Sequence, residues 1–498
     1  MGHDRLPEGA VVDRTIMARA RRQKTSKAEL KKIPTGISGL DNITSGGLPR
    51  GRTTLIAGSA GSGKTLFGME FLIRGAELYN EPGVAMTFEE TAEEIAENLA
   101  SLGHDVTKLV HEKKLFIDYV HVERRQIEET GEYDLEGLFI RLDHAIKSIK
   151  AKRVLLDTIE VLFSGLRNES IVRSELRRLF RWLKERNVTA VITAEAGDNS
   201  FLTRHGLEEY VADCVIVLDH RVREQISTRR IRVVKYRGST HGTNEYPFLI
   251  NETGISVVPI TALSLNHKAS SERISSGIAG LDEMLGGKGF FRASSVLVTG
   301  TAGTGKSSVA ASFVNAACAR GERALYFAFE ESESQILRNM HSLGMPLERW
   351  IKNGLLQIHA VRPTTMGLEN HLASIFKAID DYKPSVVVVD PITNLISVGT
   401  TISVKAMLTR LIDLLKSHQV TAMFTNLSMA GAINEVTSTE ISSLMDAWIS
   451  LNEVELNGVR QRAIYVLKAR GMSHSNRVHR FTISDRGIEI ADPTEKKE

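Results

Sequence analysis

The run GSAGSGKT, Gly58 to Thr65, returns in altered spelling as GTAGTGKS, Gly300 to Ser307. No other short pattern in the chain constrains its fold as much. Glycines at this spacing let the backbone close around a polyphosphate when a strand leads into the loop and a helix leads out of it. Both copies follow an apolar β-branched run, TTLIA and SVLVT, and both precede a helix-forming segment. Gly58, Ser59, Ala60, Gly61, Ser62, Gly63, Lys64 and Thr65 are therefore expected to grip one nucleotide. Gly300, Thr301, Ala302, Gly303, Thr304, Gly305, Lys306 and Ser307 are expected to grip a second. Lys64 and Lys306 would reach the outer phosphates, and the hydroxyls of Thr65 and Ser307 would help hold Mg²⁺.

The repetition extends beyond the loops. TGISGLDNITSGGLPRG (35–51) reappears as SGIAGLDEMLGGKGF (276–290), AMTFEET (85–91) as YFAFEES (326–332), RVLLD (153–157) as VVVVD (386–390), and KYRGSTH (235–241) as KARGMSH (468–474). The near-constant spacing between partners marks a tandem duplication. A chain of 498 residues also exceeds what one hydrophobic core usually serves. Short strands alternate with amphipathic segments such as 138–150 and 404–417, which predicts an α/β fold: two P-loop domains, each a mostly parallel sheet flanked by helices. The expected boundaries are a basic, disordered tail over 1–30, domains over 31–262 and 273–485, a polar linker over 263–272, and a short tail over 486–498.

Charge narrows the partners. The formal net charge is +3, yet residues 1–32 carry nine Lys/Arg against four Asp/Glu, which leaves the duplicated cores slightly acidic. Aromatic residues are only 6% of the chain. Both facts argue against a stacking track for single-stranded nucleic acid. Apolar runs such as 386–389 are far too short to span a membrane, and the N-terminal residues lack the pattern of a secretory signal, so a cytoplasmic protein is expected. Cys214 and Cys318 fall in different halves at no metal-ligand spacing and read as small buried hydrophobes.

Three further matched sets of residues carry chemistry. Asp157 and Asp390 each end an apolar strand, where a carboxylate can hold magnesium's hydration shell or merely cap a helix. Glu89-Glu90 and Glu330-Glu331 follow another strand and emerge at the sheet rim, where one carboxylate can orient or deprotonate an attacking hydroxyl. The neighbouring Glu can assist, or enter the metal shell as Glu331 is expected to do. Acids in a helix first turn are the plain alternative. Lys235 with Arg237, and Lys468 with Arg470, either approach a turn or supply the positive charge that a transferring phosphoryl group needs.

Taken together, TGISGLD, the glycine loops, the FEE pairs and the KxRG repeats resemble the KaiC family of circadian clock ATPases over roughly residues 30–485. The resemblance implies two tandem RecA-like domains in a homo-hexameric double ring that uses ATP and Mg²⁺. It implies hydrolysis in the first ring, with Glu89 and Glu90, and autokinase and autophosphatase activity in the second, with Glu330 as base. Lys235, Arg237 and His241, and likewise Lys468, Arg470 and His474, would contact a neighbour's nucleotide across the interface. The acceptors would be Ser442 and Ser443, where the first half carries Glu209 and Tyr210 instead.

Departures from the family pattern qualify the inheritance. A Ser-Ser pair stands where the clock protein has Ser-Thr, and Pro391 follows Asp390 whereas Thr158 follows Asp157. The short C-terminal segment argues against a KaiA-like activator, and the first ring leaves room for a KaiB-like partner. A simple timer or signalling ATPase is thus expected over a self-sustained oscillator. A DNA-processing ATPase on the same fold and a binding scaffold cemented by ATP stay open as alternatives.

Overall fold

The computed structural model describes residues 30–121, 135–163, 169–197, 203, 211–223, 226–259, 269–428, 441–456 and 459–491. Residues 1–29 of the expected basic tail and most of the expected linker lie outside them.

In the first half the principal elements are β1 (Thr53–Gly58), α1 (Lys64–Tyr79), β2 (Gly83–Thr87), α2 (Ala92–Ala100), β3 (Leu115–Tyr119), α3 (Glu136–Ile149), β4 (Arg153–Asp157), α4 (Glu169–Glu185), β5 (Thr189–Glu195), β6 (Cys214–Arg223), β7 (Ile226–Tyr236), β8 (Glu245–Asn251) and β9 (Gly254–Val257). The second half repeats the plan: β10 (Ser295–Gly300), α5 (Lys306–Ala319), β11 (Ala324–Ala328), α6 (Glu333–His341), β12 (Leu356–Ala360), α7 (Leu368–Tyr382), β13 (Val386–Asp390), α8 (Thr401–Ser417), β14 (Thr421–Leu427), β15 (Ala447–Leu456), β16 (Val459–Ala469), β17 (His479–Ser484) and β18 (Gly487–Ile490). The last strand lies beyond the domain boundary drawn at residue 485: β18 pairs with β17 and completes the second sheet.

Each half holds one nine-stranded sheet, in the order β9-β8-β7-β6-β1-β5-β4-β2-β3 and its counterpart β18-β17-β16-β15-β10-β14-β13-β11-β12. The strands from β6 to β3, and from β15 to β12, pair in parallel, while the remaining flank is antiparallel. The glycine-loop strands β1 and β10 are central and wholly buried, as their unbroken apolar sequences require of a strand covered on both faces. One face of the first sheet packs on α1 through Phe67, Phe71 and Leu72, and the other on α3 and α4 through Leu142, Leu176 and Leu183. The two RecA-like P-loop domains are thus built alike, as their sequences are.

The repeated GLD segment is structural. Asp41 accepts from the Thr35 amide at 2.9 Å and from its hydroxyl at 2.7 Å, and Asp282 accepts from the Ser276 amide at 2.8 Å. Each carboxylate ties down the turn that leads into the domain. Cys214 and Cys318 are buried and unpaired, and burial pushes both thiols up to about 12. The domains meet where the β7–β9 flank rests on α7. Arg230 bridges Glu245 and Glu369, Asn370 donates to the Ser227 carbonyl, and Lys377 donates to Thr253.

Candidate functional site

Both glycine loops leave a central strand and enter a helix whose first residue is the loop lysine. Gly63 and Gly305, just before those helices, have φ of 99° and 98°, a region that strains any side chain. Neither helix start is capped by a side chain, so first-turn amides remain available to an anion. A Cβ added at Gly61 or Gly303 would meet nothing within 4 Å, so each loop is open on that side. These features fit a polyphosphate. Lys64 Nζ donates to the carbonyls of Gly58 and Ser59 at 2.9 and 3.0 Å, and Lys306 Nζ to that of Thr301 at 2.8 Å. Burial pushes the Lys306 ammonium down, opposed by Asp390 and Glu330.

Asp157 and Asp390 end β4 and β13 and are both buried. Thr193 on β5 and Thr425 on β14, the strands between each acid and its glycine loop, donate their hydroxyls to the Oδ1 atoms. In the first half the Thr65 hydroxyl stands close enough to Asp157 to favour its charged form. Burial raises this acid above its usual range, opposed by Thr193, Thr65 and Lys64. In the second half a phenol joins the matching groups: the Tyr326 hydroxyl donates to Asp390 Oδ2 at 2.5 Å, with the Ser307 hydroxyl beside it. Among the described residues no three His, Cys, Asp or Glu side chains form a metal cage. A hydroxyl and one carboxylate beside a phosphate loop instead suit Mg²⁺, which keeps much of its water.

The Glu pairs occupy the bend between strand and helix, ahead of the capping residues Thr91 and Ser332. They are not first-turn acids; Glu93, Glu94 and Glu333 take those places. Glu90 lines a cleft of about 320 Å³ with Gly61, Lys64 and Thr65. Glu330 and Glu331 line one of about 620 Å³ with Lys306, Ser307 and Asp390. Burial, then the nearby Asp157, pushes the Glu90 carboxyl up; burial, then Asp390, does the same to Glu331. Asn339 donates to Glu331 at 3.1 Å, and Asn98 stands beside Glu90 in the same way; both oppose the shift. The Thr158 hydroxyl donates to Glu89 at 3.2 Å, a contact Pro391 has no hydroxyl to repeat.

The basic pairs lie elsewhere. Lys235 on β7 and Lys468 on β16, each with its arginine in the following turn, sit two strands from the glycine-loop strand, on the side away from the Glu-bearing strand. None of the four is among the residues lining the two clefts. Lys468 Nζ instead donates to the Ser442 carbonyl at 2.9 Å and Arg470 to that of Ser443 at 2.7 Å. Ser442 is buried and Ser443 exposed. The His241 ring stacks on Tyr236 with centroids 6.3 Å apart, and His474 Nδ1 lies 3.2 Å from the Ser475 carbonyl. Glu209 and Tyr210 lie outside the described residues. Each half of the chain therefore gathers a loop, a strand-end acid and a Glu pair at one end of its sheet, and holds its basic pair, with the two serines in the second half, on the far flank.

Tyr326, the Thr193/Thr425 pair and the Asn98/Asn339 pair were not singled out from the sequence. The asparagines had a signal, since each stands eight positions after the second Glu of its pair. The threonines are matched too, but each is one hydroxyl on an apolar strand.

Comparison with known proteins agrees with this geometry. Residues 33–262 and 274–495 each match the family described as "ATPase: KaiC". The chain is 58% identical over 465 residues to "Circadian clock protein KaiC2" of Synechocystis sp., covering 93% of this chain and 82% of that protein. It is 40% identical over 470 residues to "Circadian clock oscillator protein KaiC" of Thermostichus vulcanus, covering 94% and 90%, and 40% identical over 466 residues to its namesake of Synechococcus elongatus, covering 93% and 89%. No helix among the described residues is long and apolar enough to cross a membrane.

Proposed function

The chain belongs to the KaiC family of ATPases, and from that premise we propose that its first domain hydrolyses ATP while its second transfers the γ-phosphoryl group to serines of a neighbouring copy. The observation that carries this reading is the separation just described. Ser442 and Ser443 are held by Lys468 and Arg470 on one flank, and Glu330 opens into the cleft on the other. A ring that sets one copy's flank against the next copy's cleft brings the two together, and a homo-hexameric double ring does so at every interface.

In the second domain, Glu330 takes the proton from the serine hydroxyl as that oxygen bonds to the γ-phosphorus. The bond from phosphorus to the bridging oxygen breaks, and ADP leaves. Lys306 and the uncapped amides of α5 hold the phosphates, and Lys468 and Arg470 of the acceptor's own chain face the developing charge. Ser307 and Asp390, with Glu331 beside them, would hold Mg²⁺, which supplies charge neutralisation on the phosphates. In the first domain Thr65 and Asp157 take that place. Glu89 and Glu90 direct water instead of serine, and Lys235 and Arg237 reach across the corresponding interface.

Mixing two inactive variants tests transfer between copies. A Lys306→Ala chain keeps its acceptors, and a Ser442→Ala/Ser443→Ala chain keeps its site. Phosphate should appear on the Lys306→Ala chain only after the two are mixed. Phosphorylation in neither preparation nor the mixture contradicts the proposal.

One observation favours the DNA-processing alternative. Arg173, Arg177 and Arg181 stand one turn apart on α4, exposed, with no ion pair among the described residues. Like charges at this spacing cost a helix stability, and a polyanion would relieve them. Absence of single-stranded DNA binding at low salt removes that reading.

A further inference from the structure

The two sites differ at a position that the duplication makes easy to compare. Four residues before the first Glu of each pair lies Ala85 in β2 and Tyr326 in β11. Tyr326 is 1% exposed, and its ring packs within the core under α5 beside Val309 and Phe313. Its hydroxyl donates to Asp390 Oδ2, and the Ser307 hydroxyl stands beside it. With Thr425 on Oδ1, both oxygens of Asp390 are engaged. In the first site Thr193 likewise donates to Asp157 Oδ1, and Ala85 has no polar group to reach the acid.

We infer that Tyr326 is a positioning residue that sets the magnesium demand of the second site apart from that of the first. A hydrogen bond donated into a carboxylate draws on the same lone pairs that would accept water from a hydrated cation. The phenol thus competes for Asp390 Oδ2, on one of the two protein groups that fit the ion. The second site should require more Mg²⁺ to retain nucleotide than the first. The inference rests on the Mg-ATP reading of this site under the proposed function, but not on serine being the acceptor. A phenol that only filled the core would leave the ion's affinity untouched.

The test is photolabelling of the intact protein with azido-ATP across a Mg²⁺ titration, with occupancy of each domain read from its labelled peptides by mass spectrometry. In the unmodified chain the half-saturating Mg²⁺ for second-domain peptides should exceed that for first-domain peptides. Tyr326→Phe keeps the ring and removes the hydroxyl. It should lower the second-domain value about fivefold, the equivalent of one net hydrogen bond, and leave the first-domain value in place. Equal half-points in the unmodified chain, or a second-domain value that Tyr326→Phe leaves unchanged or raises, would overturn the inference. Because labelling reads nucleotide alone, a chain that never phosphorylates serine would defeat the autokinase proposal and leave this result standing.

Discussion

The Thr158 hydroxyl donates to a carboxylate oxygen of Glu89 at 3.2 Å, tying the residue after the first strand-end acid to the first Glu of the adjacent pair. In the second half Pro391 occupies the matching position, and Glu330 stands exposed at the cleft without such a tie. A fixed carboxylate suits the repeated orientation of water. An untethered one can follow a hydroxyl delivered by a neighbouring chain.

Thr158→Val should therefore lower steady-state ATP hydrolysis by about tenfold, in line with the loss of a charge-assisted hydrogen bond at a reacting group. Serine phosphorylation should keep its rate in the same variant. Parallel assays of phosphate release and of phosphoserine check this, and an equal fall in both would assign Thr158 to stability alone.

Glu331 gives the second site a pH signature. Burial, with Asp390 and Glu330 nearby, favours its neutral form, whereas the Asn339 amide favours the charged form. A site that needs the carboxylate ionised gains rate as pH rises through this raised pKa, so the acid limb of phosphorylation should lie above the usual carboxylate range. Asn339→Ala removes the opposing hydrogen bond and should move that limb to still higher pH. A pH profile that Asn339→Ala leaves in place would exclude Glu331 from the titrating group.

The two acceptors are not equivalent. Ser443 is exposed while Ser442 is only 7% exposed, and their carbonyls are gripped by Arg470 and Lys468. Ser443 should carry phosphate first, with Ser442 following as the segment opens. A time course resolved by site checks the order, and simultaneous appearance would mean that the segment opens faster than transfer.

Thr193→Val probes the buried Asp157. Its hydroxyl stabilises the charged acid, and losing it should cost about 1–3 kcal/mol at neutral pH. Burial already raises the folded pKa, so ionisation at neutral pH opposes folding, and stability is recovered as pH falls towards the unfolded carboxylate range. The cost of Thr193→Val should shrink in the same direction. Denaturant unfolding of both proteins at neutral and mildly acidic pH measures it.

Much of this organisation is legible in the sequence because the chain states it twice. A glycine loop, an aspartate ending an apolar run, a Glu pair and a KxRG segment are each ambiguous singly, and the matched second copy removes chance as their source. The mostly parallel sheets and the burial of β1 and β10 follow from the same runs. Tyr326 was hidden because a tyrosine in an apolar strand reads as core, and only the strand alignment that places Ala328 opposite Asp390 brings its hydroxyl to that acid. The expected domain end at residue 485 falls short of Gly487–Ile490, which its pairing with β17 makes the last strand of the sheet. That KxRG sits on the far flank from its own Glu pair depends on strand order, which linear spacing does not encode.

The central claim is that the second domain passes phosphate to its own serine pair. Site-resolved phosphopeptide mass spectrometry after incubation with Mg-ATP alone, beside a Glu330→Gln control, tests it most directly. The account predicts phosphate on Ser443 and then Ser442 in the unmodified chain and none in the control. ATP consumed with neither serine modified would contradict it.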